Sequence, residues 1–430
     1  MRNILIELDR KFWTDTIWNY VSFGIQAAVG VALNVLILFY GGPESLGVFN
    51  QIYAIFVISG QLAVLGLHDS AQKHVAEFSD LPEKSHLIAI SSLVLAGLSG
   101  LTGALLLLFG SQFIGELFKS LDVGRGIGYM APGLMLFTLN KTLMGILNGN
   151  RRMIAFAIGQ SIRALSILFV CLVIINKEMD AALFGLAFTL AEVVLLVVLI
   201  ILIKPVAFKL VSYQDLVSWM KRHFYFGSRA LVHGFLSEAF IRIDILMLGV
   251  FLSDSLVGIY SFAAFFLEGA YQVPVVIRTI SNPILVRLVS LDRPSFVPFT
   301  RRTALLSFGA TLCVAVGIAF FYPYLDFFMT QEVIEKSFPV LLVLMSGLVL
   351  FSICIPFDYI FLLAGKPGIQ SIYIAANTTV NIILNVILIP QYGIYGASLA
   401  TALAFLWSTL FLNIMVASIL KFRGGLFLKL

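Results

Sequence analysis

The sequence predicts an all-α polytopic membrane protein, with twelve transmembrane helices in two pseudo-symmetric six-helix lobes around a central cleft. Three observations carry this. The 430 residues are 60% hydrophobic and only 12% charged, with a mean hydropathy of +1.00, where an ordinary globular chain carries about 25% charged residues. Apolar windows of about 20 residues, the length at which a helix crosses a bilayer, recur along the whole chain. Short motifs of the first half also return in the second half at one fixed offset.

Taken in order, the windows fall at 16–40, 46–67, 86–110, 126–147, 154–175 and 182–203, then at 225–251, 256–280, 303–322, 337–363, 369–389 and 394–418. The polar lead-in has no small-residue cleavage site after the first window, so that window is expected to be a retained helix and not a signal peptide. Lys and Arg divide nineteen to four between the loops of the two sides, leaving five of the 28 inside windows. Positive loops stay cytoplasmic, so both termini are expected in the cytoplasm of a multi-pass cell-membrane protein. The longest basic connection, 204–224, separates an N-terminal lobe, 1–203, from a C-terminal lobe, 225–430. Its LVSWMKRHFYF stretch is apolar and basic together, the pattern of an amphipathic helix lying in the membrane interface.

The halves share motifs. ESLGVFN (Glu44–Asn50) corresponds to DSLVGIYS (Asp254–Ser261), and LFGLAFTLA (Leu183–Ala191) to IYGASLATA (Ile394–Ala402). Aligning Gly47 with Gly258 and Gly185 with Gly396 gives an offset of 211 both times, the mark of an internal duplication. With six spans in each copy, the two copies have the same orientation in the membrane.

Several classes are excluded. The pI near 9.0 comes from short loops between apolar runs, which is membrane-surface charge and not a nucleic-acid stripe. Cys171, Cys313 and Cys354 lie inside windows without disulfide or metal-ligand spacing. There is no Gly-rich nucleotide loop and no His/Cys metal spacing, so no enzyme, cofactor or metal is expected.

Charges inside windows are the functional candidates, since each costs roughly 2.5–3.5 kcal/mol at mid-depth. The 225–251 window holds Arg229, Glu238, Arg242 and Asp244. On a 100° wheel Arg229, His233 and Asp244 share one face and Glu238 and Arg242 the opposite one, so one face lines the cleft and the other locks against a neighbour. The positions matching Glu238, Arg242 and Asp244 in the first copy are Ala27, Val31 and Leu33, which confines this charge to the second lobe. Arg163 and Glu192 lie level across a hairpin and suit either a structural ion pair or a substrate contact. A Glu238–Arg242–Glu268 cluster would leave one carboxylate in excess, for a coupling ion or a neutral packed network. Lys141, Arg229, Arg278 and Asp358 lie near the basic ends of their windows, where side chains snorkel. The three cations, with His68, Lys73 and Arg152, would also form a basic mouth for an anionic headgroup. Asn377, Asn381 and Asn385 repeat every four residues as a polar stripe suited to helix packing or to sugar binding.

Four stretches in order, Glu44–Phe78, LNGNRRM (Leu147–Met153), Arg242–Phe266 and Asn377–Thr401, carry a resemblance over most of the chain. They resemble the polysaccharide-biosynthesis flippases, the O-antigen-type (Wzx) branch of the multidrug/oligosaccharidyl-lipid/polysaccharide (MOP) exporter superfamily. The lipid II flippases of that superfamily usually carry two further helices. The resemblance implies an alternating-access carrier that turns an undecaprenyl-pyrophosphate-linked oligosaccharide from the cytoplasmic to the outer leaflet, for cell-surface polysaccharide assembly. Its partners would be that lipid-linked substrate, membrane lipids, H+ or Na+ as coupling ion, and other polysaccharide-assembly proteins. For such a cargo Arg163, Arg242, Arg229 and Lys141 would bind pyrophosphate, Asn377 and Asn381 the sugar, and Glu238, Glu268, Asp244 and Glu192 the coupling ion. Two alternatives stay open: a cation-coupled multidrug exporter of the same superfamily, which the acidic mid-span balance suits, and a polysaccharide polymerase or ligase, which usually needs a large extracytoplasmic loop.

Overall fold

The computed structural model describes residues 2–203, 212–290, 295–327, 329–422 and 426. Helices account for nearly all of them, and no strand occurs among the described residues. In order they are α1 (Arg2–Leu36), α2 (Gly42–Val64), α3 (Leu67–Glu77), α4 (Pro82–Leu117), α5 (Leu121–Gly149), α6 (Met153–Asn176) and α7 (Phe184–Leu202). There follow α8 (Tyr213–Phe251), α9 (Asp254–Ser290), α10 (Phe296–Phe321), α11 (Gln331–Phe351), α12 (Ile360–Leu363), α13 (Pro367–Tyr392) and α14 (Ile394–Ile419).

Among the described residues, ten helical stretches are long and apolar enough to cross a membrane. The twelve sequence windows exceed that number for two reasons. Trp13–Val64 carries two windows in one stretch of 52 residues, and the 225–251 window is too rich in charge to qualify on apolarity. Within Trp13–Val64 the helix loosens to a π-turn at Ile37–Gly41, and Gly42 then takes φ 78 and ψ 176, a conformation open only to glycine. The first two windows are thus separated by backbone geometry.

One window is corrected. Residues 337–363 do not form a single helix: α11 stops at Phe351, tight turns with Pro356 follow, and α12 adds a single turn. Irregular backbone at membrane depth is tolerated where protein covers it, and Ser352, Cys354, Ile355, Phe357, Ile360 and Phe361 are all buried.

The chain packs as two compact units, Met1–Glu238 and Ala239–Leu430. In the first, α4 and α7 run along α5, and α1 and α7 run along α6. Tyr53 and Phe56 of α2 stack on Phe188 of α7 with ring centroids 5.8 and 4.9 Å apart. The described part of the 204–224 connection, from Ser212, is continuous with the span that follows in the 39-residue α8; positions 204–211 lie outside the described residues. This segment is two-faced. Trp219 and His223 are buried with Ala71, Val75, Ile88 and Ile146, while Tyr213, Phe224 and Tyr225 are exposed. Farther along, α8 meets the α2–α3 turn backbone to backbone, and a Cβ on Gly227 would lie 2.2 Å from the Leu65 carbonyl oxygen.

In the second unit α14 packs between α11 and α13, and α9 runs against α10 and α11. Phe351 and Phe405 stack at 5.0 Å. All three cysteines are free: Cys171 and Cys354 are buried, and Cys313 faces outward on α10 beside the exposed Leu312 and Val316.

Candidate functional site

Each unit holds a polar centre inside its spans. In the second unit it is built on Asp244 of α8, a carboxylate with no Lys or Arg within ion-pair distance among the described residues. Thr401 of α14 donates to its Oδ2 at 2.6 Å, and Tyr260 of α9 donates to the same oxygen at 3.2 Å. Asn385 of α13 donates through Nδ2 to Asp244 Oδ1 and to Asn381 Oδ1, both at 2.8 Å. The four-residue spacing puts Asn377, Asn381 and Asn385 on one face of α13, and that face is buried. The donors are hydroxyls and amides from three helices, which is how a buried charge is held without an opposite charge. Asn385 Oδ1 and Asn377 Oδ1 are buried without a hydrogen-bond partner. Buried amide oxygens of this kind call for a donor or a cation. One carboxylate among neutral oxygens suits a hard monovalent ion. Among the described residues no group of three or more His, Cys, Asp or Glu gathers as a metal site.

In the first unit the centre is Glu192 of α7, fully enclosed. Arg163 Nε of α6 lies 2.8 Å from its Oε1, a close ion pair bent too far for a hydrogen bond. The Arg163 guanidinium also reaches Oε2 at 3.4 Å, and Asn140 of α5 donates to Oε2 and to the Glu192 carbonyl, both at 2.8 Å. The two residues, level across a hairpin and read as either an ion pair or a substrate contact, thus lie in ion-pair contact. Phe137, one turn from Lys141 on α5, presents its ring to the Arg163 guanidinium at 4.9 Å and to the Lys141 ammonium at 5.4 Å. Glu192 balances Arg163, while no carboxylate lies within ion-pair distance of Lys141 among the described residues.

The remaining sequence candidates are placed elsewhere. Arg229 is exposed, hydrogen-bonds the Tyr225 hydroxyl and lies 4.1 Å over that ring. It shares a wheel face with Asp244, yet the two belong to different units; the His233 side chain lies outside the described residues. Glu238 and Arg242 are half-buried and Glu268 is exposed, with Glu238 in the first unit and the other two in the second. Arg278 and Asp358, both read as lying near the basic ends of their windows, form a 2.7 Å ion pair, and the guanidinium covers Tyr359 at 4.3 Å. Sequence reasoning passed over Asn140, Tyr260 and Thr401 as site residues. The last two fall in motifs shared by the halves, where a polar residue reads as scaffold.

Membrane-length apolar helices with polar groups held inside them define a multi-pass helical membrane protein. Its fold is that of the MOP superfamily transporters, and 31 chains of known structure match it. A lipid II flippase MurJ in an inward closed conformation matches with a TM-score of 0.75 and 19% identity, over 94% of this chain and 88% of that one. An inward-facing multidrug resistance MATE family transporter of the MOP superfamily gives 0.74 and 14%, over 93% and 99%. The MATE multidrug transporter DinF-BH gives 0.62 and 18%, over 98% and 97%. The likeness is one of fold. No protein-family model and no curated protein matches the sequence.

Proposed function

We propose that this chain is a flippase that carries an undecaprenyl-pyrophosphate-linked oligosaccharide from the cytoplasmic to the outer leaflet by alternating access, coupled to Na+ at Asp244. The observation that carries the cargo assignment is Lys141: a half-buried ammonium beside Arg163 on the Phe137 ring, with no carboxylate of its own. A cation kept inside the spans without a counter-charge costs several kcal/mol, and an anionic ligand recovers that cost when it binds. The Arg163 fork and the Lys141 point charge together suit the two phosphates of a pyrophosphate. The Asp244 centre supports an ion in preference to a proton. A proton on Asp244 would leave the amide oxygens of Asn385 and Asn377 without a partner, whereas Na+ takes oxygen ligands of this kind. Thr401 can turn its proton to the Ala397 carbonyl, 3.0 Å away, and free a lone pair for the ion.

The second reading, cation-coupled drug export, draws on Glu268, a carboxylate exposed on α9. Both readings are tested in one preparation. Vesicles containing the purified chain are loaded with a fluorescent lipid-pyrophosphate oligosaccharide or with a cationic dye, and a Na+ gradient is imposed. The flippase reading expects movement of the lipid, loss of at least tenfold in rate for Lys141→Gln, and no dye transport. Dye movement without lipid movement would establish the exporter.

A further inference from the structure

The LNGNRRM stretch contributes nothing to either centre, and it lies beside a cavity of about 590 Å³ in the first unit. Arg151, Arg152 and Lys11 line it, and Asp15 is the one carboxylate in its lining among the described residues. Met153, Ile154, Ala155, Ile158 and Leu202 continue it as an apolar trough. We propose that this cavity binds an anionic phospholipid from the leaflet facing the basic loops, its phosphate on Lys11, Arg151 and Arg152 and one acyl chain along the trough.

The level in the membrane is right. Met153 begins one span and Leu202 ends another, so the cavity lies where apolar helices meet the headgroups. Trp13, two residues from Lys11, is 61% exposed, as belt tryptophans are at that depth. Ile154 is also exposed, so the trough opens sideways, where a chain can enter from the bilayer. The charge is right too: among the described residues three cations face one carboxylate, and the volume lies within the usual range for ligand pockets.

Backbone geometry adds an independent sign. Arg151 has φ 54, the left-handed conformation in which glycine normally closes a helix, in the three-residue connection between α5 and α6. An arginine held there at a conformational cost is what a binding role for its side chain would require. Arg152 is fixed differently, donating to the Leu202 carbonyl at 2.7 Å and so tying the end of α7 to the cavity.

Thermal unfolding of the purified full chain in a zwitterionic detergent tests this, with titrations of phosphatidylglycerol, phosphatidylcholine, glycerol phosphate and undecaprenyl pyrophosphate. Phosphatidylglycerol is expected to raise the Tm most. Lys11→Gln and Arg151→Gly should each weaken it about five-fold, and the double variant about 25-fold. Arg151→Gly relieves the backbone and should keep or raise the lipid-free Tm, which separates lost binding from lost folding. The assignment is overturned by equal stabilisation from phosphatidylcholine, by equal stabilisation from tail-free glycerol phosphate, or by an unchanged affinity in the double variant. Tighter binding of undecaprenyl pyrophosphate at these residues would give the cavity to a substrate lipid and also overturn it. All of these readouts are binding measurements made without transport, and only the undecaprenyl pyrophosphate titration bears on the cargo proposed above.

Discussion

Thr401 and Asp244, 157 positions apart in the chain, share a 2.6 Å hydrogen bond in which the hydroxyl donates to the carboxylate. The bond joins α14 to α8, and both residues are buried. Removing the donor leaves a charged acceptor short of a partner, at a cost of about 1–3 kcal/mol. Thr401→Val should therefore lower the Tm, and Thr401→Ser should restore it. With Na+ in place of K+, the wild-type Tm should rise and that of Asp244→Asn should not. A Na+ response that survives in Asp244→Asn would remove the ion from this centre.

Glu192 and Arg163 make a second prediction, about partners rather than donors. A buried carboxylate stripped of its cation costs more than the loss of the whole pair, by about 3–5 kcal/mol in soluble proteins. Arg163→Met alone should thus destabilise more than Arg163→Met with Glu192→Gln, since the glutamine still accepts from Asn140. Additive losses across this double-mutant cycle in thermal unfolding would show the two side chains to be uncoupled.

The third prediction concerns pH. His223 precedes the 225–251 window, accepts from or donates to Ser70 Oγ at 2.8 Å, and meets the Ile88 carbonyl at 3.2 Å. Burial, aided by nearby His74, pushes its pKa from 6.5 down to about 4, although the Ile88 carbonyl opposes this. Burial, aided by Lys141, pushes His68 down to about 3. The unfolded chain then binds more protons than the folded one below pH 6.5. Stability should fall as the pH drops from about 6.5 toward 4, by at most about 3 kcal/mol from His223. Tm measured between pH 7 and 4.5 should decline in the wild type and decline less in His223→Gln.

Glycine packing gives the fourth. Gly227→Ala puts a methyl carbon 2.2 Å from the Leu65 carbonyl oxygen, where backbone has to move, and overpacking of this kind costs about 1–3 kcal/mol. Gly317→Ala, four residues before the end of α10, meets nothing within 4 Å and should be neutral or gain up to about 1 kcal/mol. A Tm for Gly227→Ala at or above that of Gly317→Ala would contradict the close approach.

What the sequence revealed and what it hid follow from range. Apolar windows and loop charge are local sums, so the all-helical membrane class was readable, as was the depth match of Arg163 with Glu192. The break at 352–359 was hidden because hydropathy is blind to backbone hydrogen bonding: Pro356 and its apolar neighbours read as continuous span. The Asp244 centre was half visible. Its acid and the asparagine stripe stood out, but Tyr260 and Thr401 are ordinary residues in apolar motifs, and only tertiary packing brings their hydroxyls to the carboxylate. Asn140 was likewise hidden, since its partner lies 52 positions away.

The cysteines have a practical consequence. A maleimide is attacked by the thiolate, whose charge needs water to form. Cys171 and Cys354 are enclosed, and Cys313 faces outward among bare aliphatic side chains in mid-helix. The natural chain should therefore stay dark to a water-soluble maleimide in intact membranes. It is a ready background for cysteine-scanning accessibility, in which single thiols placed along α8 would report which positions water reaches.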